Sequence, residues 1–192
     1  AMIDEDQQDE AKALFQALTD FYKKLIDKYV QYYAIDVIHF HDDWGSQRSP
    51  FFSLTTCREM LVPYLKQIVD HCHSKGKIFE LHSCGKIEAL VPAMVECGVD
   101  TWGGQPMNDK KMLYDLYGDK ILLGINGPFG PDNPPPEDEQ ELRRQLNAFL
   151  EPYAPHLKEK QFYLIDVANF QSSDRIREAF YQCSSKLLGG AE

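Results

Sequence analysis

"KIFELHSCG", residues 77–85, reads as a short strand that runs out into a histidine and a cysteine two positions apart, followed at once by a glycine. Ile78, Phe79 and Leu81 suit a buried strand, and the polar residues gather at its C-terminal end. The same design precedes it in "AIDVIHFHDDWG", residues 34–45, where Ile35, Val37 and Ile38 give way to His39, His41, Asp42 and Asp43. Between the two lies "CREMLVPYLKQIVDHCHSKG", residues 57–76, a helical pattern that Gly76 closes. Strand, helix and strand, with polar residues at the strand ends, is the repeat of a parallel β/α fold, in which functional residues collect at the C-terminal ends of strands.

The alternation extends in both directions. Upstream, Leu14, Phe15, Leu18, Phe21, Tyr22, Leu25, Ile26 and Tyr29 recur at spacings of three and four, which predicts a leading amphipathic helix over about 8–33. Downstream, the patterns predict a helix over 87–97, a strand in "VDTWGG" (99–104), a short helix in "DKKMLYDLYG" (109–118) and a strand in "KILLGIN" (120–126). A proline-rich loop, "GPFGPDNPPPEDEQ", then leads to a helix from 138 to about 150, a strand in "QFYLIDVA" (161–168) and a last helix near 173–188. The tally is five strands, each followed by a helix. A complete barrel needs eight and typically ~250 residues, so a chain of 192 is either an open α/β sheet or the C-terminal portion of a barrel.

Thirty acidic residues against twenty basic ones, a net charge of −10, disfavour a nucleic-acid surface or an anionic membrane as partner. No run approaches the ~18 apolar residues of a membrane span, and the acidic start is unlike a secretion signal, so a cytoplasmic protein is expected. Five cysteines, an odd number without framework spacing, fit free thiols in a reducing compartment.

The strand ends supply the candidate chemistry. His82 and Cys84 are two apart, so an extended chain points both the same way, and imidazole and thiolate are good zinc donors. The competing reading makes His82 an interior hydrogen-bonding group and Cys84 a small packing residue. In "HFHDD", Asp43 and His41 are read on one side and Asp42 and His39 on the other. One carboxylate would bind substrate or metal, and the other would hold the following turn. Trp102 and Gln105 follow the third strand, Asn126 ends the fourth, and Asp166 and Asn169 end the fifth. His71, Cys72 and His73 lie on a helix, where neighbours fan over about 200° and cannot close on one ion, so they are read as a solvated helix end.

The string from "DDWG" (42–45) through "HSCG" (82–85) to "CGVD" (97–100) resembles the uroporphyrinogen decarboxylase (URO-D) superfamily, and within it the corrinoid-dependent methyltransferases. The similarity runs from about Phe15 to Leu187. It implies a TIM-type (β/α)8 barrel of which residues 1–192 form a single partial domain: the leading helix at about 8–33 and about five β/α units over 35–188, the C-terminal portion. The family's N-terminal strands have no counterpart here, which implies closure by homodimerisation, by a partner chain or by a missing N-terminal half.

In that branch a His-x-Cys pair and a later cysteine hold zinc, and the zinc binds an acceptor thiol as thiolate for attack on methylcobalamin. His82 and Cys84 match the pair. The later cysteine falls near Val167, where none is present, leaving Asp166, Glu80 or Asp43 as stand-ins. The resemblance thus implies methyl transfer to a small-molecule thiol or pterin acceptor from methylcobalamin carried by a separate corrinoid protein. Asp42 or Asp43 would act catalytically by orienting a ligand or completing the metal sphere, and Gln105, Asn126 and Asp166 would line the substrate mouth. The alternatives are tetrapyrrole decarboxylation, for which basic residues such as Arg48 and Arg58 are few, and a domain inactive without a partner.

Overall fold

The structure, a computed structural model, describes residues 4–130, 132–157, 159–165, 174–187 and 189. The chain divides into two compact units, one up to Asp109 and one from Lys110 onward. The first contains α1 (Gln8–Tyr32), β1 (Val37–His41), α2 (Leu54–Met60), α3 (Val62–Ser74), β2 (Ile78–His82), α4 (Val91–Cys97) and β3 (Thr101–Trp102). The second contains α5 (Lys110–Tyr117), β4 (Leu122–Asn126), α6 (Glu139–Leu150), β5 (Phe162–Ile165) and α7 (Asp174–Leu187). The fold class is α/β with parallel strand pairing, as the sequence predicts.

In the first unit β2 lies between β1 and β3. β1 and β2 run parallel in a register that sets Val37 opposite Ile78 and continues to His41 opposite His82. Side chains alternate along each strand. Ile38, Phe40, Phe79 and Leu81 therefore share the face toward the helices, where Phe79 and Leu81 have no exposed surface. A chain of rings joins α1 to this face, with Tyr22 on Phe40 at 4.9 Å and Phe40 on Phe79 at 5.6 Å, while Phe15 meets Tyr64 of α3 at 5.6 Å. The opposite face presents Val37, His39 and His41 of β1, all exposed, beside Glu80 and His82 of β2.

The helix predicted over 57–76 begins earlier and breaks once. Ser53 caps α2 by accepting a hydrogen bond from the Thr56 backbone N–H at 3.1 Å, so the helix starts at Leu54. At Leu61 it gives way to α3, because Pro63 has no N–H to donate and is tolerated only in a first turn. Gly76 follows the end of α3 at φ +67° and closes it through its N–H to His73 O. At this end His71 Nε2 meets Asp27 at 3.0 Å and His73 Nε2 meets Asp100 at 2.7 Å, while Cys72 is buried. The two imidazoles diverge to different carboxylates.

In the second unit β4 and β5 pair in parallel from Leu123–Phe162 to Asn126–Ile165. Leu142, Leu146 and Leu150 of α6 pack on Ala179 and Cys183 of α7. Tyr114 is a packing residue: its ring meets Tyr153 at 5.1 Å and its hydroxyl donates to Lys160 O at 3.0 Å. Among the described residues no helix is long and apolar enough to cross a membrane.

The two faces of the β1–β2 pair differ sharply in what truncation costs. Leu81→Ala is expected to lose about 2–5 kcal/mol in urea unfolding, whereas Val37→Ala, on the exposed face, loses under about 1 kcal/mol. The reverse order would mean a register shifted by one residue.

Candidate metal centre

Parallel strands in register bring their ends out together. After His41 and His82 the pairing continues by one bond, from the Asp42 N–H to His82 O at 3.1 Å. The chains then turn, and the turns are tied to each other. Ser83, fully buried, accepts the Trp44 backbone N–H at 3.0 Å, and the Lys86 N–H reaches Ser46 O at 2.7 Å. Gly85 sits at φ +98°, where a Cβ would stand 2.4 Å from the carbonyl carbon of Gly45 and 2.6 Å from its oxygen. Backbone therefore meets backbone, and only glycine fits.

The turn after β3 secures the same loop. Gln105 Oε1 accepts the Gly85 N–H at 2.8 Å. Asn108, buried, accepts from the N–H groups of Ile87 (2.8 Å) and Glu88 (3.0 Å) and donates to Gly85 O and Gln105 O, both at 2.9 Å. Gln105, expected at the substrate mouth, thus has its side-chain oxygen engaged in holding the turn. Asn108 was not legible in the sequence, where it stands as a lone asparagine in a loop.

The adjacent carboxylates separate as alternation requires. Asp42 Oδ2 accepts the indole N–H of buried Trp44 at 2.9 Å. Asp43 turns to the other side, where its Oδ1 accepts the Cys84 backbone N–H at 2.9 Å and stands 3.1 Å from His41 Nε2. The expected grouping of His39 with Asp42 does not hold: a period of two keeps His39 on the face of His41. There its Nδ1 lies 3.0 Å from Glu80 Oε2 and its ring lies 6.1 Å from that of His82.

One cluster results. His41, Asp43, His82 and Cys84 each offer a ligand atom, and these atoms lie within 4.8 Å of one another. His82 Nε2 is 3.5 Å from Cys84 Sγ, and the His41 and His82 rings meet edge to face at 4.5 Å. The sequence brought out His82, Cys84 and Asp43, while His41 is the ligand candidate it passed over. Its signal was the His-x-Asp spacing of 41 and 43, a copy on β1 of the His-x-Cys spacing on β2.

Charge within the cluster is arranged for a cation. Burial, then the nearby His41 and His39, push the His82 pKa down against a hydrogen bond to the Gly103 backbone, which favours the neutral imidazole that a metal needs. Hydrogen bonds from the Cys84 backbone and thiol, then His41, hold Asp43 below the usual carboxylate range. Burial and the Asp43 carboxylate raise the Cys84 thiol, which leaves it a poor nucleophile until a cation is beside it. Two imidazoles, a carboxylate and a thiol that a metal would ionise suit zinc.

Of the remaining expected residues, Asn126 ends β4 in the second unit with a buried Oδ1 that has no hydrogen-bond partner among the described residues. Asp166, Val167 and Asn169 lie outside the described residues. Glu80, one of the possible stand-ins for a third ligand, is paired with His39.

Residues 2–161 match the family described as uroporphyrinogen decarboxylase (URO-D). No curated protein matches the chain significantly. Among solved structures, a methyltransferase from Methanosarcina mazei aligns over 88% of this chain with a TM-score of 0.57 at 16% identity. The chain spans 47% of that protein, about half its length, and the likeness shows the fold. A sugar phosphate isomerase/epimerase from Parabacteroides distasonis aligns over 96% of this chain and 65% of its own, with a TM-score of 0.47 at 7% identity.

The split roles of the two carboxylates are separable by substitution. Asp42→Ala strands the buried Trp44 N–H and is expected to lose about 1–3 kcal/mol of stability in urea unfolding. Asp42→Asn keeps an acceptor and recovers most of that loss.

Proposed function

Since the chain belongs to the uroporphyrinogen decarboxylase family, we propose that it is the metal-bearing portion of a corrinoid-dependent methyltransferase, passing a methyl group from methylcobalamin on a separate corrinoid protein to a small thiol or pterin acceptor. The observation that carries this reading is the pair His82 and Cys84, half-buried at the C-terminal end of β2 with Nε2 and Sγ 3.5 Å apart. These two residues would hold zinc. When bound, zinc would supply the Lewis acidity that makes an acceptor thiol a thiolate at neutral pH.

The remaining work falls to the chain itself. The Gly103 backbone fixes the His82 ring, and Asp43 fixes Cys84 through its N–H. Trp44, Ser83 and Asn108 hold the turns that carry these side chains. The exposed face of β1 and β2 that leads to the pair is polar at His39, His41, Glu80 and His82, which suits a hydrated acceptor. β1 is the outer strand of its unit, with Val37 exposed, which supports a need for further strands from a longer chain, a second copy or a partner.

Tetrapyrrole decarboxylation is less well supported. A substrate with several carboxylates calls for cations on the exposed face, yet the β1–β2 face carries imidazoles and carboxylates, and Arg58 is engaged with Glu96 at 2.5 Å.

Protein purified without chelator is expected to contain about one zinc per chain, and the His82→Ala, Cys84→Ala double variant none, by elemental analysis. With methylcobalamin and a panel of small thiols and pterins, loss of the methyl–cobalt absorbance should fall at least about 100-fold in that variant. Release of carbon dioxide from uroporphyrinogen, with methylcobalamin untouched, would sink the methyltransferase reading.

A further inference from the structure

We propose that His41 and Asp43 complete the metal-binding set of His82 and Cys84, so that the centre is built wholly from the ends of two adjacent strands. The inference rests on the metal reading above and goes beyond it. It assigns the two donors that stand in place of a later cysteine, and it requires no ligand from the second unit.

Geometry carries the assignment. Donors at ~2.0–2.3 Å from a tetrahedral zinc stand about 3.3–3.8 Å from one another. The four donor atoms already lie within 4.8 Å of one another, with His82 Nε2 and Cys84 Sγ at 3.5 Å, and His41 Nε2 and Asp43 Oδ1 at 3.1 Å. Closure onto an ion needs rotamer adjustments of about an ångström and no movement of the strands.

The cluster is two copies of one device. His41-x-Asp43 and His82-x-Cys84 are pairs two residues apart, placed side by side because His41 is in register with His82. Each pair projects to one face by the period of the strand. The bond from the Cys84 N–H to Asp43 Oδ1 locks one pair to the other at 2.9 Å. The neighbouring carboxylates are engaged elsewhere, Asp42 by the Trp44 indole and Glu80 by His39.

Donor chemistry agrees. Two neutral imidazoles, one carboxylate and one thiolate carry two negative charges and balance a divalent cation, and nitrogen with sulfur favours zinc over magnesium or calcium. The rival account is an exposed His41–Asp43 contact with no metal, since the two side chains are 56% and 50% accessible.

Cobalt(II) is the probe that separates the accounts, because its spectrum reports the donors directly. The full chain, stripped of metal, is titrated with Co2+ and then with zinc in competition. The expected result is one equivalent bound, with the intense visible bands of a four-coordinate ion and a single thiolate charge-transfer band. His41→Ala and Asp43→Ala should each lower Co2+ affinity at least about 10-fold and weaken the four-coordinate bands, while His156→Ala, which removes an exposed imidazole of the second unit, leaves both unchanged. Far-ultraviolet circular dichroism and the urea midpoint establish that the variants are folded, and His41→Gln serves if His41→Ala is not. If His82→Ala and Cys84→Ala abolish binding while the His41 and Asp43 variants keep wild-type affinity and spectrum, the assignment of His41 and Asp43 is overturned and the His82–Cys84 reading stands. Wild-type protein that takes up neither Co2+ nor zinc overturns both.

Discussion

The register between β1 and β2 is the constraint on which the rest of the first unit depends. His41 lies opposite His82, and that single correspondence sets which residues face the helices and which face outward. A slip of β1 by one residue would carry Ile38 and Phe40 to the exposed face and drive its imidazoles into the layer filled by Phe79, Tyr22 and the helices. The apolar face therefore enforces the polar one. Burial of Ile38, Phe79 and Leu81 holds the alignment, and the alignment assembles the four-residue cluster as a consequence.

The turns beyond the strands convert alignment into position. Loops alone would leave His82 and Cys84 free to wander relative to β1. Here the turn after β2 is laced to the turn after β1 through Ser83, Lys86 and the contact of Gly85 with Gly45, and to the turn after β3 through Gln105 and Asn108. Most of these bonds are made by buried groups, for which breaking a bond leaves a polar atom without water. That penalty makes the lacing stiff, and a stiff shell is what a metal or substrate site requires of its surroundings.

The cluster also shows how crowding tunes protonation. Burial, and after it the nearby imidazoles of His41 and His39, disfavours charging His82. Asp43, by contrast, receives hydrogen bonds from the Cys84 backbone and thiol and remains ionised, while its charge helps keep that thiol protonated. A cation would relieve both tensions at once, since it ionises the thiol and uses the neutral imidazole.

The sequence by itself determined the class of fold and much of the cluster. Alternating apolar runs and three-and-four spacings located the strands and α-helices of the described residues to within a few positions, with α2 and α3 read as one, and strand-end polarity marked His82, Cys84 and Asp43. It misjudged local breaks, as at Leu61, where one proline outweighed a continuous apolar stripe. What only the tertiary structure decided was partnership across strands. His41 became a neighbour of His82, Asp43 was joined to Cys84, and Gln105 and Asn108 were turned to holding a loop, because register and backbone hydrogen bonding are settled between segments 20 to 41 residues apart. Periodicity is a property of one segment and is written along the chain. Register joins two segments, and it exists only once both have packed on the same core.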